Sequence, residues 1–164
     1  MRTLYLLRHA KSSWEDESLG DFERPLNPRG NKAAETIGQF LAKENLRPEL
    51  ILSSPALRAR QTTEIVLRTS KLQVELRFDV RIYEAMPETL LSILAEIDAR
   101  KNQILLVGHN PGMEELLNFL SGEVKTMPTA ALAKLNFAAS EWQSLGENQA
   151  QLEWLVTPKG LKQL

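Results

Sequence analysis

Three short apolar runs recur along the 164-residue chain, and each precedes a segment with helical periodicity. The runs cover residues 4–7, 50–52 and 104–107. Continuous apolar runs of this length are typical of strands that are buried on both faces, as in a parallel sheet. Strands that alternate with helices predict a single α/β domain over residues 1–164. We expect three α/β/α layers around a mostly parallel central sheet.

The segments between these runs carry the apolar spacing and the end signals of amphipathic helices. Residues 30–45 place small and large apolar side chains on one helical face. Pro55, which follows two serines, predicts the first turn of a second helix, and Pro87 and Pro111 predict the start of two more. Gly122 marks the predicted end of the last of these helices.

Further strands are predicted on either side of this core. Residues 72–83 alternate in part and predict one more strand. Residues 130–138 and 151–158 predict an antiparallel pair that completes one edge of the sheet. Neither an internal repeat nor a linker that would divide the chain is found in the sequence.

Composition excludes several classes of protein. With 20 basic and 21 acidic residues, the chain has neither the basic excess of a nucleic-acid-binding protein nor an acidic tail. Because it has no cysteine, it cannot form a disulfide framework or a thiolate metal site. Residues 1–7 are too short for a signal sequence or a membrane span. We expect a cytoplasmic protein that binds neither nucleic acid nor membrane.

Polar side chains that are suited to chemistry follow each predicted buried strand. Arg8 and His9 follow the first, Arg58 lies one helical turn beyond the second, and His109 follows the third. In a parallel sheet the carboxyl ends of the strands share one edge, and ligands bind in the crevice there. The sequence therefore predicts one pocket that both histidines and both arginines face.

These residue types favour phosphate chemistry. Arginine holds phosphate through a planar fork of donors, and helix N-termini add backbone N–H groups for an anion. Adjacent arginines would repel a cation, so we expect no metal and no cofactor. Histidine beside phosphate can act as a nucleophile, and positive neighbours lower its pKa so that a ring nitrogen stays free to attack. The alternative is that either histidine is a structural core residue.

Four segments of the sequence together form a recognisable set of motifs. In chain order they are "LLRHAKSSW", "RPLNPRG", "SSPALRARQT" and "VGHNPG". They resemble the motifs of the histidine phosphatase superfamily, which has the phosphoglycerate-mutase-like fold. Within that superfamily the chain is most similar to the small SixA-type phosphohistidine phosphatases. Ala10 stands where many members of the superfamily have glycine, as is usual in the SixA-like branch.

The resemblance implies roles for the matching residues. His9 would be the nucleophile that accepts phosphate, and Arg8, Arg58 and His109 would bind the transferred phosphoryl group. Ser12 or Ser13 would border the phosphate in the loop that follows the nucleophile.

Glu84 is the candidate general acid, since many relatives place a carboxylate near the leaving group. The alternative to the general acid is that Glu84 is a helix N-cap or an ordinary solvated carboxylate. We expect Asp16 and Asp21 to fix the loop that follows His9; the alternative is that they orient waters or contact the substrate.

The predicted function is a phosphatase that works through a covalent phosphohistidine. A compact chain leaves little room for segments that cap the pocket, which favours a phosphorylated protein as substrate, such as a histidine phosphotransfer domain. The first alternative is a phosphatase of small metabolites such as sugar or nucleotide phosphates. The second is a non-catalytic module that binds phosphorylated partners.

Overall fold

A mixed sheet of six strands, in the order β3-β2-β4-β1-β5-β6, forms the centre of residues 1–162, the part of the chain that the computed structural model describes. β1, β2, β3 and β4 run parallel, whereas β5 and β6 are antiparallel to their neighbours. The strands are β1 (Arg2–Arg8), β2 (Leu50–Ser53), β3 (Glu75–Phe78), β4 (Gln103–Gly108), β5 (Leu132–Phe137) and β6 (Gln151–Val156).

Helices cover both faces of this sheet. One apolar cluster lies between the sheet and α3 and α4, and a second lies between the sheet and α1 and α2, with α5 packed at its border. This arrangement confirms the predicted three-layer α/β fold. The helices are α1 (Pro28–Lys43), α2 (Leu57–Ser70), α3 (Pro87–Ala95), α4 (Gly112–Ser121) and α5 (Pro158–Leu161).

β1 shows why the apolar runs in the sequence are continuous. Leu4 and Leu6 belong to the cluster under α3 and α4, while Tyr5 and Leu7 belong to the cluster under α1 and α2. Successive side chains of a strand point to opposite faces, so a strand covered on both sides has no position that favours a polar residue. The runs at residues 50–52 and 104–107 form β2 and β4 in the same way.

The start of α1 also fixes the loop after β1. Asn27 caps the helix by accepting a hydrogen bond from the backbone N–H of Gly30. A Cβ atom on Gly30 would lie 2.1 Å from the carbonyl oxygen of Lys11, so only glycine allows this close approach. The N-terminus of α1 is therefore packed directly against the backbone two residues beyond His9.

The boundaries of α2 and β3 are among those that differ from the sequence predictions. α2 begins at Leu57 rather than Pro55, and its N-cap is Ala56. The ψ of Ala56 is 138°, which is not helical, so the chain enters the helix only at Leu57. The Ser54 hydroxyl accepts from the Ala56 N–H and contacts His109. β3 is shorter than the predicted strand at residues 72–83, because a 3-10 turn over residues 80–82 follows it.

The predicted antiparallel pair at the edge of the sheet is confirmed as β5 and β6. Within residues 1–162, none of the helices is both long and apolar enough to cross a membrane.

Candidate active site

The two histidines lie side by side at the carboxyl ends of neighbouring strands. β1 and β4 are parallel, and Arg8 pairs in register with Gly108, so the next residue of each strand is a histidine. The backbone N–H of His9 donates to the carbonyl oxygen of Gly108 at 3.1 Å. The two ring centroids are 5.1 Å apart, and the residues are only 6 % and 8 % exposed. The structure thus brings together residues that are 100 positions apart in the sequence.

A hydrogen bond to the backbone determines which nitrogen of the His9 imidazole carries the ring hydrogen. Its Nδ1 lies 2.7 Å from the carbonyl oxygen of Ala10. A carbonyl oxygen only accepts, so Nδ1 must carry the hydrogen and Nε2 keeps its lone pair when the ring is neutral. Burial, together with the positive charges of Arg58, Arg8 and Arg24, lowers the pKa of His9 to about 4. His9 is therefore neutral near pH 7, and Nε2 is its unprotonated nitrogen.

Arg58 contacts that same nitrogen. It is the second residue of α2, and its Nε lies 3.4 Å from Nε2 of His9. The other end of the guanidinium donates to Asp21, through Nη1 to the carbonyl oxygen at 2.7 Å and through Nη2 to Oδ2 at 3.0 Å. A guanidinium has five N–H donors, and these contacts use three of them, with the Nε–H directed at the lone pair of Nε2.

His109 is held by the connection between β2 and α2. Its Nε2 lies 2.8 Å from Oγ of Ser54, which already accepts from the Ala56 N–H. The Ser54 hydroxyl hydrogen is therefore available to Nε2, and this favours a ring hydrogen on Nδ1 of His109. That Nδ1 is buried and has no hydrogen-bond partner within residues 1–162. Burial and the nearby His9 and Arg58 lower the pKa of His109 to about 3.

Arg8 supplies a further buried donor. Its Nη1 donates to the carbonyl oxygen of Met127 at 3.1 Å, whereas its Nε has no partner among the residues that the structure describes. Burial lowers the pKa of Arg8, and Arg58 lowers it further, which indicates that two positive charges share one region. Glu114 supports this arrangement because its carboxylate accepts from the backbone N–H of Met127 at 2.9 Å.

The structure gives Ser12 and Ser13 defined places in the loop that follows His9. Ser12 is buried, and its hydroxyl accepts from Nη1 of Arg24 at 2.7 Å. The Ser13 hydroxyl accepts from the backbone N–H of Glu15. Both serines therefore hold the loop, and a contact between either hydroxyl and a bound phosphate stays a prediction.

Asp21 is more central than its sequence position suggests. Its carboxylate contacts Arg58 and Arg24, and it accepts a hydrogen bond from the hydroxyl of Tyr83. The Tyr83 hydrogen bond and the two arginines lower the pKa of Asp21 to about 2, so it is ionised near neutral pH. Tyr83 also packs edge-on against His109, with the ring centroids 5.4 Å apart. Nothing in the local sequence distinguishes Asp21 or Tyr83, because their partners come from distant segments.

Glu84 lies at the open side of the site. With Asp21, Arg58 and His109 it lines a cavity of about 400 Å³. Its side chain is exposed, and its backbone adopts the left-handed conformation with φ of 55°. The cap of α3 is Met86, so the N-cap interpretation of Glu84 is wrong. Its role as a general acid stays a prediction, as does the alternative of a solvated carboxylate.

The residues around His9 are of the types that bind a tetrahedral anion, but of the predicted pocket residues only Arg58 and His109 line the cavity, whereas Arg8 and His9 do not. Arg8, Arg58 and His109 present N–H donors, and Nε2 of His9 presents a lone pair within the same region. Preorganised donors of this kind stabilise negative charge on a transferring phosphoryl group. Residues 1–162 contain no group of three or more His, Asp or Glu side chains placed to hold a metal ion.

Comparison with known proteins decides the family. Residues 4–85, half of the chain, match the model of the histidine phosphatase superfamily, branch 1. The chain belongs to the histidine phosphatase superfamily. This membership supports phosphatase activity, and the matched residues include Arg8, His9, Arg58 and Glu84.

The similarity to known proteins extends over nearly the whole chain. An uncharacterized chloroplastic protein of Arabidopsis thaliana is 34 % identical, over 96 % of this chain and 78 % of its own length. A crystal structure of a candidate phosphohistidine phosphatase SixA from Agrobacterium tumefaciens is 35 % identical, with a TM-score of 0.83, and covers 96 % of this chain and 98 % of its own.

A second similar structure shows the shared fold alone. The protein histidine phosphatase SixA complexed with tungstate is 21 % identical, with a TM-score of 0.84, and covers 97 % of this chain and 99 % of its own. Within the superfamily, the chain is thus of the SixA type.

Proposed function

We propose that this histidine phosphatase acts as one domain, spanning residues 1–164, that hydrolyses phosphohistidine on a protein through a covalent intermediate at His9. The observation that carries the proposal is the geometry of Nε2 of His9. This atom is unprotonated, faces the guanidinium of Arg58 and lies in the same buried region as His109 and Arg8.

The reaction would proceed in two steps. In the first, Nε2 of His9 forms a bond to phosphorus while the bond from phosphorus to the nitrogen of the substrate imidazole breaks. The released imidazole keeps the bonding pair and takes a proton from solvent. In the second, water attacks phosphorus and gives a proton to solvent, the bond to His9 breaks with its electron pair returning to Nε2, and inorganic phosphate leaves. Arg8, Arg58 and His109 would hold the phosphoryl oxygens through both steps. The two arginines would neutralise the charge of the phosphoryl group, so the proposed mechanism requires no metal ion.

The electrostatics of the open cavity support a phosphohistidine. The carboxylates of Asp21, Glu84 and Glu115 line it beside Arg58 and His109. A leaving group that is neutral or cationic, such as imidazole, suits this rim, whereas a metabolite with further anionic groups would be repelled. A phosphoramidate is also labile enough to need less help from a general acid than an alkoxide ester does.

A small-molecule phosphatase is the second candidate. The cavity of about 400 Å³ is within the range of pockets that hold small ligands, and Glu84 lies at its wall. Because carboxylates also line this cavity, the monophosphate of an uncharged sugar fits the site better than a bisphosphate. A purely binding module is less well supported. Burial and three nearby arginines keep the His9 imidazole neutral, and phosphate binding alone does not need a neutral histidine.

Turnover measurements would test the proposal. Rates of phosphate release would be compared between a histidine phosphotransfer domain phosphorylated on histidine and a panel of sugar and nucleotide phosphates. We expect the phosphoprotein to be hydrolysed with the higher kcat/KM. Hydrolysis of the metabolites alone would establish the second candidate, and binding of the phosphoprotein without release of phosphate would establish the non-catalytic module.

A further inference from the structure

A second cavity, which we call the basic groove, lies between the N-terminal turns of α1 and α5. It has a volume of about 450 Å³. Its charged lining residues are all basic, and their side chains are exposed. These five residues are Lys11, Arg29, Lys32, Lys159 and Lys162. A concentration of one sign of charge in a concave surface focuses the electrostatic field and attracts a partner of opposite charge.

The five basic residues have no acidic partners. Within residues 1–162, none of them forms an ion pair at 4.0 Å or less. Elsewhere on the surface, Arg60, Arg81 and Arg100 pair with neighbouring carboxylates. The chain as a whole has a net charge of −1, so the groove is not the consequence of a generally basic protein.

Helix stability does not explain the charges either. Arg29 and Lys32 lie near the N-terminus of the 16-residue α1, and the first turn of this helix has no acidic residue. The N-terminal end of a helix dipole is positive, so cations there are unfavourable to the helix. Both residues are thus placed against the local electrostatic preference, which points to a role in binding.

The basic groove is adjacent to the candidate active site. Lys11 is two residues beyond His9, so its Cα lies within about 7 Å of the Cα of His9. Thr129, which also lines the groove, precedes Ala130, whose backbone N–H donates to the carbonyl oxygen of His9 at 3.0 Å. A chain whose phosphorylated side chain reaches His9 could therefore place residues only a few positions away in the groove.

We propose that the basic groove docks an acidic segment of the phosphoprotein substrate. This inference rests on the proposed function and specifies how the substrate protein is recognised. The groove is concave and has apolar wall residues, Ala33, Pro128 and Pro158, between its charges, which suits a peptide segment better than a membrane surface. The carboxylate rim at Glu84 and Glu115 belongs to the other cavity, so the two surfaces together give the bound protein one favoured orientation.

The test uses two synthetic peptides that carry one phosphohistidine, flanked by Glu in one and by Gln in the other, with free phosphohistidine as a third substrate. The enzyme variants are Lys32→Gln/Lys159→Gln in the groove and Lys43→Gln/Lys71→Gln as the matched control. Lys43 and Lys71 are exposed, form no ion pair within residues 1–162 and lie outside the groove. Their replacement removes the same number of positive charges as the groove variant does.

We expect the wild-type enzyme to prefer the Glu-flanked peptide in kcat/KM by about tenfold at low salt, and less at high salt. The groove variant should lose this preference, the control should keep it, and free phosphohistidine should be hydrolysed equally by all three enzymes.

Three results would overturn the docking proposal. They are equal rates on both peptides, a preference that survives in the groove variant, and a loss of the same size in the control. Binding of phosphatidylserine vesicles or single-stranded RNA that only the groove variant loses, without any peptide preference, would assign the groove to those partners instead. If the wild-type enzyme hydrolyses none of the three substrates, the proposed function itself fails, and the docking proposal fails with it.

Discussion

Nε of Arg58 lies 3.4 Å from Nε2 of His9, although 49 residues separate the two in sequence. Both side chains are buried, so their interaction is little weakened by solvent. The contact places a permanent positive charge beside the nitrogen that would attack phosphorus. It therefore stabilises both the neutral form of His9 and the negative charge that gathers on a transferring phosphoryl group.

Arg58→Ala should reduce kcat/KM for phosphohistidine by about 10²- to 10³-fold, because a preorganised donor to the phosphoryl oxygens is lost. Steady-state phosphate release would measure the effect. Arg60→Ala is the matched control, since Arg60 is two residues away on the same helix and contacts Glu64 and the ring of Phe78 at the surface. Equal activity in the two variants would show that Arg58 does not bind the transferred group.

Asp21→Asn should lower kcat/KM by about tenfold, because the guanidinium of Arg58 loses its charged anchor and its orientation. The effect should be smaller than that of Arg58→Ala, since the carbonyl oxygen of Asp21 still accepts from Nη1. Asp16→Asn is the control, because the exposed carboxylate of Asp16 bonds only to Ser18. An unchanged rate in Asp21→Asn would remove Asp21 from the positioning of Arg58.

Glu84→Gln tests the general acid. If Glu84 protonates the leaving group, the variant should hydrolyse a sugar phosphate about 10²-fold more slowly, while hydrolysis of phosphohistidine changes by less than about threefold. Glu88→Gln, at the exposed start of α3, serves as the comparison. Equal rates on the sugar phosphate in wild type and Glu84→Gln would leave Glu84 as a solvated carboxylate.

Stability should fall as the pH is lowered below about 6.5, the ordinary pKa of histidine. The pKa values of His9 and His109 are lowered to about 4 and about 3, so between these values and 6.5 the unfolded chain binds protons that the folded protein does not. Each histidine then lowers the free energy of unfolding by about 1.4 kcal/mol per pH unit.

Urea unfolding between about pH 5 and pH 7 would measure this slope. Asp21 does not interfere, because its pKa is lowered from 3.8 to about 2 and its contribution is lost only at lower pH. His109→Gln should remove one histidine's share of the slope. A free energy of unfolding that is independent of pH in this window would show that neither histidine is held neutral.

Much of the fold follows from local patterns. The apolar runs that become β1, β2 and β4 are continuous because each strand is covered on both faces, and that requirement is visible in single residues. The carboxyl-edge rule then brings His9 and His109 together without any knowledge of the strand order. The start of α2 could not be predicted from the Ser-Ser-Pro sequence, because Ala56 has a non-helical ψ of 138° that no local pattern indicates.

The position of Asp21 could not be predicted for a related reason. The loop between β1 and α1 is held by contacts between distant residues, such as Gly30 against Lys11 and Arg24 against Ser12. Asp21 reaches Arg58 and Tyr83 only after that loop has folded over the sheet edge. Sequence periodicity carries no information on such contacts. The resemblance to a family identifies only the residues within the family's motifs, and Asp21 lies outside them.

In the proposed reaction, Nε2 of His9 carries the phosphoryl group as a covalent intermediate. Incubation of the enzyme with phosphoramidate, followed by alkaline quenching and mass spectrometry of the intact protein and its peptides, tests this most directly. We expect one phosphate on the peptide that contains His9, a 31P resonance of an Nε2-phosphorylated imidazole, and no phosphate on His9→Gln. Phosphate on another residue, or turnover of phosphohistidine by His9→Gln at the wild-type rate, would contradict the account.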